Sequence, residues 1–308
     1  MIRTSGLVKY YGRIMALQGL DMTVPQGAIY GFIGQNGAGK TTTLRILAGL
    51  LLPDGGAAEI AGYDVVRHPR AVRGVVGYMP DFFGVYDDLR VGEYLLFYAA
   101  AYGIRGQRAA RLRDDLLELV ELGDKREAFV DTLSRGMQQR LCLARSLIHD
   151  PQVLLLDEPA SGLDPLARVE MREILKELCR MGKTIIISSH ILSELADLCT
   201  HIGMVTAGRI VRQGLLHEVL AAAHRRNFIV RCYGSLAPAL AVLEAWPGVE
   251  IINTTEEQVE FSLSDGPAQV AALLKEMISS GAAVTHFAET QQSLEDTFLQ
   301  LAREGDKA

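Results

Sequence analysis

The chain has 308 residues, of which 49% are hydrophobic and 22% charged, and a formal net charge of −6. The length fits one large domain with a smaller companion, since single cores stop growing near about 250 residues. An acidic balance offers no general attraction to a polyanion, so nucleic acid is not an expected partner; no apolar run approaches the roughly 20 residues that cross a bilayer, so any membrane role needs a separate membrane protein.

Cys142, Cys179, Cys199 and Cys232 are widely spaced and form no C-x-x-C pair. Neither a zinc site nor a disulfide framework is therefore expected, and a reducing cytoplasm fits best. Arg3 and Lys9 are followed by no apolar stretch, which argues against a signal peptide.

From residue 1 to about 220, short β-branched runs alternate with amphipathic stretches, the pattern of an α/β fold with a largely parallel sheet. The strand Ala28–Ile33 runs into Gly34-Gln35-Asn36-Gly37-Ala38-Gly39-Lys40-Thr41, which matches G-x-x-x-x-G-K-[ST] and opens the helical stretch Thr42–Leu50. Glycines let the backbone wrap until its N–H groups face phosphate oxygens, and the helix N-terminus favours the anion. Lys40 is then placed to neutralise β- and γ-phosphates, Thr41 to offer its hydroxyl to Mg²⁺, and Thr42 to complete the nucleotide contacts.

Val75–Tyr78 reads as the next strand, and Leu89–Tyr102 with Arg108–Leu122 as helices of an insert over about residues 85–145. Val153–Leu156 is an apolar strand ending in Asp157 and Glu158, the shape of a Walker B segment. Asp157 is expected to hold Mg²⁺ and Glu158 to orient or deprotonate an attacking water. Helix Leu166–Met181 leads to the strand Thr184–Ser188, which delivers His190 at its carboxyl end, the edge where open α/β sheets bind ligands. Ile202–Thr206 is the last strand of a first domain taken as residues 1–224.

After Arg225–Arg226 the pattern changes to strand Phe228–Tyr233, helix Leu236–Trp246, strands Val249–Asn253 and Gln258–Leu263, helix Ala268–Ser279 and strand Ala283–Ala288. This βαββαβ order predicts a small α+β domain of ferredoxin-like pattern over 225–308, closed by a helix that Ser293 is placed to cap.

Taken together, residues 2 to 220 resemble an ATP-binding cassette (ABC) ATPase, a P-loop NTPase fold with a helical insert. The discriminating segment is Leu133-Ser134-Arg135-Gly136-Met137-Gln138-Gln139-Arg140, similar to the family signature L-S-G-G-Q-x-Q-R, and Ser161-Gly162-Leu163-Asp164 resembles the D-loop. The resemblance implies ATP and Mg²⁺ as ligands, Glu158 and His190 as catalytic groups, and a head-to-tail pair with itself or a similar cassette, in which Ser134, Arg135, Gly136 and Met137 act in trans and Asp164 belongs to the D-loop. Tyr11 matches the aromatic that stacks on adenine, with Tyr10 the competing candidate.

Asp81 stands where the family has the Q-loop glutamine; it can accept from Mg²⁺-bound water but cannot donate as an amide does. Arg135 replaces a glycine and Met137 a glutamine of the signature. The stretch Gly77–Tyr102 and the small appended domain look most like ATPase subunits of ABC-2-type exporters, which dock on a separate multi-span permease at the cytoplasmic face of the membrane. Phe82, Phe83 and Tyr86 are the candidate docking aromatics, with internal packing as their alternative. Two other functions stay open: an ABC ATPase without a membrane partner, and a slowly hydrolysing regulatory module, to which Asp81 and Met137 point.

Overall fold

The computed structural model describes residues 1–82, 84, 88–191, 193–222, 226–263 and 267–290. Phe83, Tyr86, Arg225 and the segment that Ser293 would cap lie outside the described residues. In chain order, the hairpin β1 (Ile2–Tyr11) and β2 (Ile14–Val24) precedes β3 (Ile29–Ile33), α1 (Lys40–Leu47), β4 (Gly55–Ile60), β5 (Tyr63–Asp64), α2 (Pro69–Val75) and β6 (Val76–Met79). Helices α3 (Val91–Ala101), α4 (Gly106–Leu119) and α5 (Arg135–Leu147) then separate β6 from β7 (Val153–Asp157). There follow α6 (Pro165–Arg180), β8 (Thr184–Ser189), α7 (Ser193–Ala196), β9 (His201–Thr206), β10 (Arg209–Leu215) and α8 (Leu216–Ala222).

Six of these strands form one sheet in the order β10-β9-β3-β8-β7-β6. All neighbours are parallel except β10, which returns antiparallel to β9. Strands β3, β7 and β8 are buried at every position. Burial on both faces is why they read as continuous apolar runs rather than alternating ones. Because parallel strands share a direction, β3, β8, β7 and β6 all finish at the same edge.

A second, antiparallel sheet in the order β2-β1-β4-β5 was not expected from the sequence. Its period-2 pattern is broken where β1 slips register between Thr4 and Leu7. There the buried Thr4 hydroxyl donates to the Leu20 carbonyl at 2.9 Å and accepts the Met22 N–H at 2.9 Å, standing in for ladder bonds that the irregularity removes. Leu7, Leu17, Leu20 and Met22 bury their side chains in a core shared with Phe32, Leu44 and Leu155 of the parallel sheet and its first helix.

The insert is anchored by Arg140 of α5. Its buried guanidinium donates to the Val120 carbonyl at 3.2 Å and pairs with Glu121 and Glu170 at 3.4 Å each, so one side chain joins the end of α4, α5 and α6.

Chain contacts define a further unit beginning at Leu220, whereas the first unit runs over Met1–Val219, so the boundary falls inside α8. The further unit contains β11 (Arg226–Cys232), α9 (Ala237–Ala245), β12 (Val249–Thr254), β13 (Gln258–Leu263), α10 (Pro267–Ser279) and β14 (Val284–Thr290). The strands pair antiparallel in the order β12-β13-β11-β14. That is the ferredoxin-like arrangement the βαββαβ order predicts. Its own core holds Phe228, Phe261, Leu243 and Leu273, with the Phe228 and Phe261 rings 5.5 Å apart.

Arg140→Ala is expected to lower stability by about 1–3 kcal/mol, since it strips a buried carbonyl and two partly exposed carboxylates of their partner. A lowered urea midpoint at unchanged slope would report it, and an unaltered midpoint would show that Arg140 anchors nothing.

Candidate functional site

The loop after β3 is shaped from both sides. The Gly34 N–H donates to the Ser189 carbonyl at the end of β8 (3.3 Å), and the Ala38 carbonyl accepts the Gly208 N–H from the β9–β10 turn (3.0 Å). Gly39 has φ +104°, and an added Cβ there would lie 2.7 Å from Leu17 Cδ2 and 2.9 Å from the Ala16 carbonyl of β2. Only glycine fits between the hairpin and the loop. Directly behind it α1 begins, and its first-turn N–H groups have no acceptor within the helix, which makes this end a seat for an anion.

Lys40 is buried, with Nζ donating to the Gly34 carbonyl at 2.6 Å and to the Gln35 carbonyl at 3.3 Å. The same ammonium is 3.4 Å from Glu158 Oε1. The other carboxylate oxygen, Oε2, is 2.9 Å from His190 Nδ1, whose N–H can donate to it. Lys40 at the start of α1, with Glu158 and His190 just beyond the ends of β7 and β8, thus forms one polar chain. Gln35, Asn36 and Gly37 are exposed around it, and Thr41 and Thr42 are half-buried at the start of α1.

Asp157 is buried at the last position of β7, where its Oδ1 accepts the Ser188 hydroxyl at 2.7 Å. Ser188 Oγ in turn accepts the Glu158 N–H at 3.0 Å. Sequence reasoning missed Ser188, whose role comes from the parallel register that sets it beside Asp157. Glu158 itself sits at φ +51°, a left-handed backbone that costs a non-glycine residue of order 1 kcal/mol or more and turns its side chain back over the sheet edge.

Asp157 Oδ2 is buried without a hydrogen-bond partner. An orphaned carboxylate oxygen one residue from the Glu158 that pairs with Lys40 suits a hard divalent cation such as Mg²⁺, which takes one or two protein oxygens and completes its shell with phosphates and water. Asp81 follows the carboxyl end of β6 and is exposed. Burial pushes the nearby Tyr78 phenol up, and the Asp157 carboxylate adds to that effect.

The signature segment opens α5. Ser134 is its N-cap, accepting the Met137 N–H at 3.3 Å. The buried Gly136 packs so closely on Ala167 that an added Cβ would be 2.9 Å from the alanine Cβ. Arg135 is exposed and its guanidinium lies over Gly162, while Gln139 donates to the Ser161 carbonyl at 3.2 Å. Asp164 caps α6 through the Ala167 N–H at 2.9 Å. Within the chain, Arg135, Gly136 and Gln139 of the signature lie against the Ser161–Asp164 segment and α6.

Tyr10 and Tyr11 are each 46% exposed at the end of β1, in the hairpin whose other strand backs Gly39, so both can offer a ring to a ligand. Phe82 is 87% exposed, which excludes internal packing for that one of the three candidate docking aromatics.

Two family models match the chain: ABC transporter over residues 17–161, and the C-terminal domain of DrrA1-3-like ATP-binding proteins over residues 214–302. Similar full-length proteins include the Nod factor export ATP-binding protein I of Ralstonia nicotianae, 36% identical over 98% of this chain and 93% of that protein. The daunorubicin/doxorubicin resistance ATP-binding protein DrrA of Streptomyces peucetius is 35% identical over 97% and 92%. The bacitracin transport ATP-binding protein BcrA of Bacillus licheniformis is 33% identical over 98% and 97%. Among solved structures, the ATP binding subunit of an ABC transporter superposes with TM-score 0.65 at 30% identity, covering 72% of this chain and 92% of its own. A dimeric bacterial ABC transporter cassette shares the fold with TM-score 0.64 at 24% identity, over 70% and 99%. With a phosphate loop, paired strand-end carboxylates and a signature helix assembled on that fold, the chain belongs to the ABC transporter family of ATP-binding proteins and is an ATPase.

Proposed function

We propose that two copies of this cassette, or one copy and a similar subunit, sandwich two Mg·ATP molecules head to tail, and that hydrolysis drives export through a separate multi-span permease. The observation that carries this reading is the Lys40–Glu158–His190 chain at the mouth of the phosphate loop, with the Ser134 segment of the same chain held against α6. Relatives matched over nearly the whole chain are export or drug-resistance ATP-binding proteins, which supports the permease partner and a place on the cytoplasmic face of the membrane. Among the described residues no helix is long and apolar enough to cross a membrane, and the exposed Phe82 supplies an apolar contact for a partner.

In this reading the Gly34–Thr41 loop grips the phosphates, Lys40 exchanges its backbone carbonyls for β- and γ-phosphate oxygens, and Thr42 completes the grip. Tyr11 stacks on the adenine. Thr41 and Asp157 would hold a bound Mg²⁺, which would supply positive charge to the phosphates, and Asp81 would accept from a water beside it. Glu158 orients the attacking water and takes its proton, while His190 Nδ1–H fixes the carboxylate's direction. Ser134, with Arg135, Gly136 and Met137, closes over the γ-phosphate held by the partner copy, and Asp164 keeps the Ser161–Asp164 segment on α6.

Lys40→Ala is expected to weaken ATP binding about 10- to 100-fold, the loss of charge-assisted contacts of about 1.5–3 kcal/mol, as titration calorimetry would read. Equal affinity in both proteins would remove the phosphate loop from its role. Glu158→Gln should cut steady-state phosphate release about 10²- to 10⁴-fold while keeping ATP. Light scattering should then find dimers in saturating Mg·ATP; monomers alone would refute a sandwich of two copies of this chain.

A further inference from the structure

His190 stands on a turn that has an anchor of its own. Ser189, the last residue of β8, accepts the Ile191 N–H at 3.0 Å, and its hydroxyl lies 3.2 Å from the Ile191 carbonyl and 3.3 Å from Glu194 Oε2. Glu194 Oε1 is 3.2 Å from Arg168 Nη1. Arg168 belongs to α6, and its Nε donates to the Leu163 carbonyl at 3.1 Å. One carboxylate therefore joins the turn that carries His190 to the Ser161–Asp164 segment, and Gln139 and Arg135 hold that segment from the signature side.

The link is shielded where it matters. The Glu194 side chain is only 12% exposed and lines a cavity with Arg168, Arg172, Met171, Leu175 and Leu198, and Arg168 reaches solvent. Poor hydration strengthens both of the carboxylate's contacts relative to a surface pair, and removing either partner leaves a desolvated oxygen. The contacts run without a break from the Leu163 carbonyl through Arg168 and Glu194 to Ser189, one residue before the His190 whose nitrogen lies 2.9 Å from Glu158.

We propose that Glu194 is a positioning residue for hydrolysis, which with Arg168 aligns His190 on Glu158 according to where the Ser161–Asp164 segment lies. The inference rests on the proposed function and adds a route within one copy from its signature helix to its own hydrolytic carboxylate. It is distinct from a packing role, because the effect must pass through His190.

The test is a double-mutant cycle on the full-length chain, with phosphate release, ATP affinity and thermal midpoint measured for Glu194→Gln, His190→Ala and the pair. Glu194→Gln should lower kcat about 10- to 100-fold, the range expected when a catalytic group is misplaced by about 1 Å. ATP affinity should stay within about twofold. In the His190→Ala background the same substitution should lower kcat little further, because the group it positions is gone. Should Glu194→Gln not fold, Ser189→Ala severs the same link with a smaller change and carries the same expectation. Parental kcat in these variants, or losses that multiply in full with that of His190→Ala, would overturn the inference. Absence of turnover in the unmodified chain would overturn the proposed function first, and is told apart by its independence of Glu194.

Discussion

Parallel pairing of β3, β8, β7 and β6 is the constraint on which the site depends. Strands that run the same way end at the same edge, so residues distant in sequence arrive together without contacts of their own to bring them there. Inside the sheet β3, β7 and β8 are buried throughout and mostly apolar, and Asp157, Ser188 and Ser189 stand at the last positions of β7 and β8. Lys40, Asp157, Glu158 and His190 are therefore grouped by topology before any of them meets another. At that edge Lys40 and Asp157 are buried, Glu158 is half-buried and His190 is exposed, so Coulomb attraction among them is stronger than in bulk water.

Fine placement within that edge comes from hydrogen bonds between strand ends. Ser188 holds Asp157 by one bond and the Glu158 backbone by another, so a single hydroxyl sets the spacing of the two acids. The left-handed backbone at Glu158 is strained, and the fixed N–H on one side and the Lys40 and His190 contacts on the other hold it there. The signature helix is held by different means. Arg140 fastens it to α4 and α6, and close contact at Gly136 with the Gln139 bond sets the Ser161–Asp164 segment beside it.

Where the chain departs from its family's pattern, the structure shows what the new residues touch. Arg135 spreads over Gly162 and adds a positive charge to the signature surface. Met137 keeps its N–H on Ser134, so the cap survives the loss of the family's amide side chain. Asp81 stays exposed beyond β6, able to accept from water. The unit from Leu220 onward closes its own aromatic and aliphatic core on a four-stranded sheet, and its topology follows from two helices sharing one face of that sheet.

The phosphate loop, the strand-end acids, His190 and the βαββαβ order were legible in the sequence, because each depends on residues adjacent in the chain. A fully buried parallel strand must be a short unbroken apolar run, and a loop that wraps an anion must be rich in glycine. The β2-β1-β4-β5 sheet was not legible, since its alternation is interrupted at Thr4 and its partners lie far along the chain. Nor were Ser188, Arg140 and the Arg168–Glu194 link, for these are polar residues of common type whose meaning lies only in what stands opposite them. Local chemistry is written in local sequence, whereas pairing across strands and helices is decided by register and packing, which exist only once the chain has folded.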